Sequence, residues 1–301
     1  MTLALLLLAA LLPLVLRWGP GHHLEFAERV CRRRRELLPA SMAKLLGEEK
    51  DAYLYGNLAA DIINMKGFGG HFNHCHRWTI IADMRARAET PTEEAFIAGY
   101  LSHLAADTIA HNHYVPYHLT RFARTRGFGH LYWEMSADRM VPEARWEIIT
   151  RLKDSPELEA LDDLINQAVP KKALSMGANK LIFNHVLLVS ERKRWRTGVE
   201  ALHPIGKVSL KKGFLGIFQR AAVDRVRLAL HPKGVAKLQH IDTTGKAAQK
   251  EAMRRRKQLV SRFRSGNARD TQALELAQPF LTGMQSPPPS GKDAAPHWQQ
   301  Y

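Results

Sequence analysis

The chain has 301 residues, 45% of them hydrophobic and 24% charged, with two cysteines and a formal net charge of +15. That balance supplies a sizeable core and excludes a disordered chain, a collagen-like fibre and a protein crossing a membrane many times. Two cysteines, Cys31 and Cys75, are too few for a disulfide framework or a cysteine-rich zinc module. The charge is lopsided: residues 1–190 carry 22 lysines and arginines against 21 acids, and residues 191–301 carry 22 against 8. Ten of the fifteen histidines lie between His22 and His130. The sequence therefore describes a nearly neutral, histidine-rich body followed by a strongly basic tail.

Thr2 to Leu16 is an apolar run interrupted only by Pro13. It is shorter than the about 20 residues of a membrane span and fits the apolar region of a secretory signal, cleaved or kept as an anchor. Export, to the periplasm or beyond, is the expectation. No cation precedes the run, and Val15-Leu16-Arg17 is not a small-x-small cleavage site. The domain boundaries that follow are 1–17 for this segment, 18–190 for the body and 191–301 for a basic helical extension with a disordered end.

The body reads as helical throughout. Leu24, Ala27, Val30 and Cys31 share one face of a first helix, and Pro39 stops it. Gly56-Asn57 opens a segment from Leu58 to Ile63, and Gly67–Gly70 forms a loop leading to His71, His74 and His76. Thr92-Glu93-Glu94 after Pro91 starts a helix over 95–110, which breaks at Asn112–Pro116. Another helix runs from His130 toward Pro142, and two more cover 156–168 and 174–188. No alternation of period two is long enough to build a sheet. In the tail, Phe214, Ile217, Phe218 and Ala221 form an apolar stripe among lysines and arginines, and a second basic helix spans 246–264. That pattern fits either an interfacial helix on anionic lipid or a helix packed on the body.

The chemistry resides in the histidines and carboxylates. His103 and Asp107 stand four apart in a helix, on one face, and His130 and Glu134 repeat the spacing. Imidazole nitrogens and carboxylate oxygens suit Zn²⁺. His113, six residues after Asp107 at the expected helix break, is positioned for the same cavity, and Asp61 and His76 can complete the shell from upstream. No G-x-S-x-G elbow is present, and neither cysteine has the surroundings of a nucleophile.

These residues occur in a telling order: Trp18-Gly-Pro-Gly-His-His23, Tyr53-Leu-Tyr-Gly-Asn-Leu-Ala-Ala-Asp61, His74-Cys-His76-Arg-Trp78, Gly99-Tyr-Leu-Ser-His103-Leu-Ala-Ala-Asp107 through His113, and Gly129-His130-Leu-Tyr-Trp-Glu134. Over roughly residues 18 to 140 the chain resembles the zinc-dependent phospholipase C family, relatives of the S1/P1 nucleases. The resemblance implies an all-α, multi-helix bundle with two or three zinc ions in a cleft. One ion would take Asp61, His76, His103 and Asp107, and a second His113, His130 and Glu134. A third would take His23, a bridging Asp107 and the terminal amine and carbonyl of Trp18, which requires cleavage after Arg17. His76 is preferred to His74 because its fifteen-residue step from Asp61 resembles the nuclease branch. His23 is preferred to His22.

The implied activity is phosphodiester hydrolysis, with Asp61 orienting or deprotonating the attacking water. The substrate is a phospholipid or related phosphodiester, met at an anionic membrane surface through residues 207–264. An S1/P1-like nuclease is the second choice, and a non-catalytic, membrane-associated zinc scaffold the third. Ile62 follows Asp61 where choline-preferring phospholipases carry an aromatic residue, so preference for phosphatidylcholine is not expected. Tyr53, Tyr55, Phe72, Trp78 and Trp133 either line a head-group pocket or form aromatic core.

Overall fold

A computed structural model describes residues 19–62, 75–122, 129–168, 177–180, 212–263 and 266–288, without the side chains of 129–132 and 135. Among the described residues every regular element is helical, as the missing strand signal requires. The helices of eight residues or more are α1 (Pro20–Arg32), α2 (Ala40–Glu48), α3 (Lys50–Ile62), α4 (Trp78–Arg85), α5 (Pro91–Ile109), α6 (Val115–Phe122), α7 (Gly129–Asp138), α8 (Glu143–Lys153), α9 (Leu161–Ala168), α10 (Lys212–Ala229), α11 (Lys246–Arg262) and α12 (Asn267–Ala277). No helix among the described residues is long and apolar enough to cross a membrane. The apolar run 2–16, the loop with His71, Phe72 and His74, and most of the expected helix 174–188 lie outside the described residues.

Local chemistry sets the start of the central helix. Thr90 accepts the Glu93 backbone N–H at 3.2 Å, Glu93 accepts the Thr90 N–H at 2.9 Å, and Pro91 occupies the first turn, where no N–H is needed. From Ala95 to Ile109 α5 is buried on all sides, so it needs helices around its whole circumference.

Helix α3 runs straight through Gly56-Asn57, where the glycine suggested a helix start. The reason is a backbone contact. A Cβ on Gly56 would lie 2.0 Å from the Phe96 carbonyl oxygen, and one on Gly99 would lie 2.1 Å from that of Tyr53. The two glycines let α3 and α5 touch backbone to backbone, and Tyr53 Oη and Ser102 Oγ meet at 3.1 Å beside the crossing. Asp61 is little more than one turn beyond Gly56, and His103 one turn beyond Gly99. The crossing therefore sets the distance between those two side chains.

The expected break at Asn112–Pro116 does not occur. Ala110–Tyr114 forms a π-helical turn that passes directly into α6. Pro116 lacks an N–H and its ring crowds the carbonyl four residues back. A widened turn ahead of it accommodates both and keeps the chain helical.

The basic tail is built into the same core. On α10, Leu215, Phe218, Ala222, Val226 and Ala229 are buried, a stripe of helical spacing that lies along α5. Each large side chain so buried contributes roughly 1.5–3 kcal/mol. The stripe considered for a lipid surface is thus mostly used for packing: Phe218 is buried, Phe214 and Ala221 are half-buried, and only Ile217 is exposed, at 39%. The charges of this helix face outward, with Arg225 as the exception. Helices α11 and α12 pack on α6.

The aromatic candidates resolve the same way. Tyr53, Tyr55 and Trp133 are core residues, and Trp78 gives its indole N–H to the Ile241 carbonyl at 2.9 Å. Cys31 and Cys75 are both buried and are not joined in a disulfide, so the pairing that an oxidising compartment would permit is not made. Burial pushes the Cys31 thiol up to about 12, which leaves it inert as a nucleophile.

Candidate metal centre

Four elements converge on Asp107. It stands on α5 with His103 one turn before it and His111, in the π turn, one turn after. Helix α1 brings His23, the end of α3 brings Asp61, and the residues before α4 bring His76. All of these residues, with Glu134 of α7, are at most 3% exposed.

Around the two Asp107 oxygens the imidazole nitrogens are evenly placed. Nε2 of His76 and of His103 each lie 3.3 Å from Oδ2, while Nε2 of His23 and of His111 lie 3.3 and 3.4 Å from Oδ1. Asp61 is set slightly further back, with its oxygens 3.8 to 4.0 Å from Nε2 of His103, His76 and His23. Nε2 of His76 and Nε2 of His103 face each other at 3.0 Å. His111 also turns Nδ1 toward Glu134 Oε1, at 3.5 Å.

Tautomer and charge follow from the surroundings. His103 Nδ1 donates to the Asn57 carbonyl at 2.8 Å, which leaves a lone pair on the Nε2 that faces His76 and Asp107. Burial would raise the Asp107 carboxyl, but His103 and His111 overcome it and hold the group well below the usual carboxylate range. Neither Asp107 oxygen makes a hydrogen bond among the described residues. A buried carboxylate with two bare oxygens ringed by nitrogens calls for a cation.

The donor set fits zinc. Donor atoms bonded tetrahedrally to zinc at about 2.0–2.1 Å lie about 3.3–3.4 Å from one another, which is the spacing around Asp107. His23, Asp61 and His103 form one group able to hold an ion, and His76, His103 and Asp107 another. Glu134 and His111 mark a further position beside them.

The sequence expectations fall into three groups. His23, Asp61, His76, His103, Asp107 and Glu134 are brought together. Trp18 and the side chain of His130 lie outside the described residues, although His130 is on α7, four residues before Glu134. His113 gives its Nδ1 proton to the Phe280 carbonyl at 2.8 Å, and His111, which was not among the expected ligands, stands beside Asp107. The six-residue step to His113 presumed a broken helix. Because the chain stays helical, the residue four after Asp107 falls on its face. The run His103, Asp107, His111 carries that signal in the sequence itself.

His22 is excluded from the cluster by its own bonds. Its Nδ1 donates to Asp138 at 2.7 Å, and its Nε2 lies 3.1 Å from the Gln219 amide nitrogen of α10. Asp138 also accepts the Gly21 and His22 backbone N–H groups, each at 3.2 Å, and so caps the start of α1 from another helix.

The roles of His111 and His113 are open to direct measurement. His111→Gln is expected to lower the zinc bound per chain, as read by elemental analysis, whereas His113→Gln is expected to leave it unchanged. Equal zinc loss in both variants would return His113 to the cluster.

No curated protein and no solved structure matches the chain. The family model described as zinc dependent phospholipase C matches residues 22–180, more than half of the chain. That stretch supplies every side chain of the cluster described above. The chain belongs to the zinc-dependent phospholipase C family.

Proposed function

We propose that the protein is a zinc-dependent phosphodiester hydrolase that cleaves phospholipids on the phospholipase C pattern. The observation that carries this is Asp107, buried without a hydrogen bond and bordered by four imidazoles. His23, Asp61, His76, His103, Asp107 and His111, with Glu134, would hold the ions. Bound zinc supplies Lewis acidity, neutralising phosphodiester charge and lowering the pKa of water.

The residues divide the remaining work by position. Asp107 is the fixed anion of the centre, at 3.3–3.4 Å from every imidazole around it. Asp61 stands further from Nε2 of His23, His76 and His103, at 3.8–4.0 Å, and its carboxylate is the group to orient an attacking water and take its proton. His103 is held in the tautomer that presents Nε2 by its bond to the Asn57 carbonyl. Ile62 beside Asp61 argues against a choline-selective pocket.

An anionic membrane is the surface that best matches the basic tail. On the outer side of α11 the exposed Lys246, Lys250 and Lys257 accompany Met253 and Val260, which are 43% and 50% exposed. Apolar side chains among cations suit the lipid interface. Export rests on the apolar run 2–16, and a third zinc on release of the Trp18 amine.

One experiment tests the proposal. Purified protein is given vesicles of phosphatidylethanolamine with phosphatidylglycerol, and separately single-stranded DNA, before and after chelation. Phosphomonoester release from lipid that stops on chelation and returns with zinc is expected, and added salt should slow it. Cleavage of DNA alone would move the assignment to the nucleases. No cleavage of either by zinc-loaded protein would leave a scaffold.

A further inference from the structure

Two arginines of the basic tail are buried, Arg256 at 9% exposure and Arg225 almost completely. Arg225, on α10, is 1% exposed. Its Nη2 donates to the Gly283 carbonyl at 2.8 Å, and Nε and Nη1 donate to nothing. It makes no ion pair with the described residues, and burial pulls it down to about 10. Other arginines of the fold behave differently: Arg145 is paired with Glu25, Arg151 with Asp51, and Arg254 and Arg255 with Glu251. Removing a guanidinium from water costs more than one carbonyl hydrogen bond returns. The missing partner is therefore an anion.

The surroundings favour an anion with several acceptors. Arg225 leaves three N–H groups open on two nitrogens. No carboxylate of the described residues pairs with it. A phosphate group offers acceptor oxygens for such a donor set, since guanidinium groups bind phosphate through several charge-assisted bonds.

We infer that Arg225 is the centre of a binding site for a phosphate group, separate from the metal centre. The separation follows from the π turn: His111 faces Asp107 and Glu134, whereas His113, two residues on, projects from the opposite side toward Phe280. Arg225 also lies outside residues 22–180, so the site belongs to the tail. Its ligand is either free inorganic phosphate or a phosphomonoester, the product class of the hydrolysis proposed above. The site itself does not depend on that hydrolysis.

The test is titration calorimetry on the full chain with zinc content matched, using inorganic phosphate in one arm and phosphoethanolamine in the other. Phosphate also binds zinc, so the comparison is between wild type, Arg225→Met and Arg225→Lys. One binding event is expected to weaken tenfold or more in R225M and to be partly kept in R225K. Saturation by phosphoethanolamine assigns the product, and saturation by phosphate alone assigns the free ion. Unchanged affinity for both ligands in R225M overturns the proposal. If R225M does not fold, the Arg225 Nε–H signal of ¹⁵N-arginine-labelled wild type, assigned with R225K, is followed instead. A signal that moves and saturates supports the site, and one that stays fixed refutes it.

Discussion

Asp107→Asn is expected to strip the protein of zinc and of hydrolytic activity while leaving its helical content intact. The substitution keeps the shape of the side chain and removes its charge, replacing one acceptor oxygen with an N–H₂ donor. Four imidazole nitrogens lie 3.3–3.4 Å from the two oxygens of this one carboxylate, so a single change affects every position around it. Loss of a group that merely supports a metal ligand costs roughly 10–100-fold in affinity or activity. Loss of the shared anion should exceed the upper end of that range. Thermal melting distinguishes this from misfolding. Chelation should lower the melting temperature of wild type, because bound metal stabilises the native state, and should leave that of D107N where it is. A D107N protein that keeps its zinc would remove Asp107 from the centre.

Gly56→Ala is expected to be among the most damaging single-methyl additions available to this chain. In an open helix the change would be favourable by up to about 1 kcal/mol. Here the new carbon would sit 2.0 Å from the Phe96 carbonyl oxygen, on the backbone of a helix buried on all sides. Overpacking of flexible side chains costs typically about 1–3 kcal/mol, and a clash with backbone should lie at or above the top of that range. The melting temperature should fall by roughly 5–10 °C. The metal centre should suffer too, since α3 and α5 can only separate by moving Asp61 away from His103, and misplacement by about 1 Å costs on the order of 100-fold in rate. Gly216→Ala on α10 is the control. There the added carbon meets only the end of the Arg220 side chain, at 3.4 Å, and stability should hold or rise. Equal effects at both positions would show that the backbone contact does not set the fold.

These two sites also mark how far the sequence can be read. The pairing of His103 with Asp107 is visible in it because helical spacing alone puts both on one face. His111 lies on the same stripe, but to place it there one must know that the chain stays helical through Asn112–Pro116, against the usual meaning of a proline. Gly56 carries an ordinary signal for a helix start. What overrides that signal is a contact with Phe96, forty residues away, which no local pattern encodes. On α10 the apolar and cationic residues are plain, yet whether Phe218 faces lipid or protein depends on the presence of α5 beside it. His22 and His23 look alike in the chain and are separated only by Asp138 and Gln219, which occupy one of them.

A short loop, residues 241–245, leads into α11. Thr243 donates its hydroxyl to the His76 carbonyl, Asn112 donates to the Asp242 carbonyl at 2.7 Å, and Trp78 donates to that of Ile241. Gly245, with φ of 58°, presses so closely on the π turn that a Cβ would lie 2.1 Å from the His111 carbonyl oxygen. The loop thus braces two of the histidines of the centre from behind. Anyone trimming the gene to the stretch that kinship defines, residues 22–180, would keep every side chain of the described cluster and discard the brace. In this protein the border drawn by ancestry and the border drawn by folding do not coincide, and a working clone needs the second.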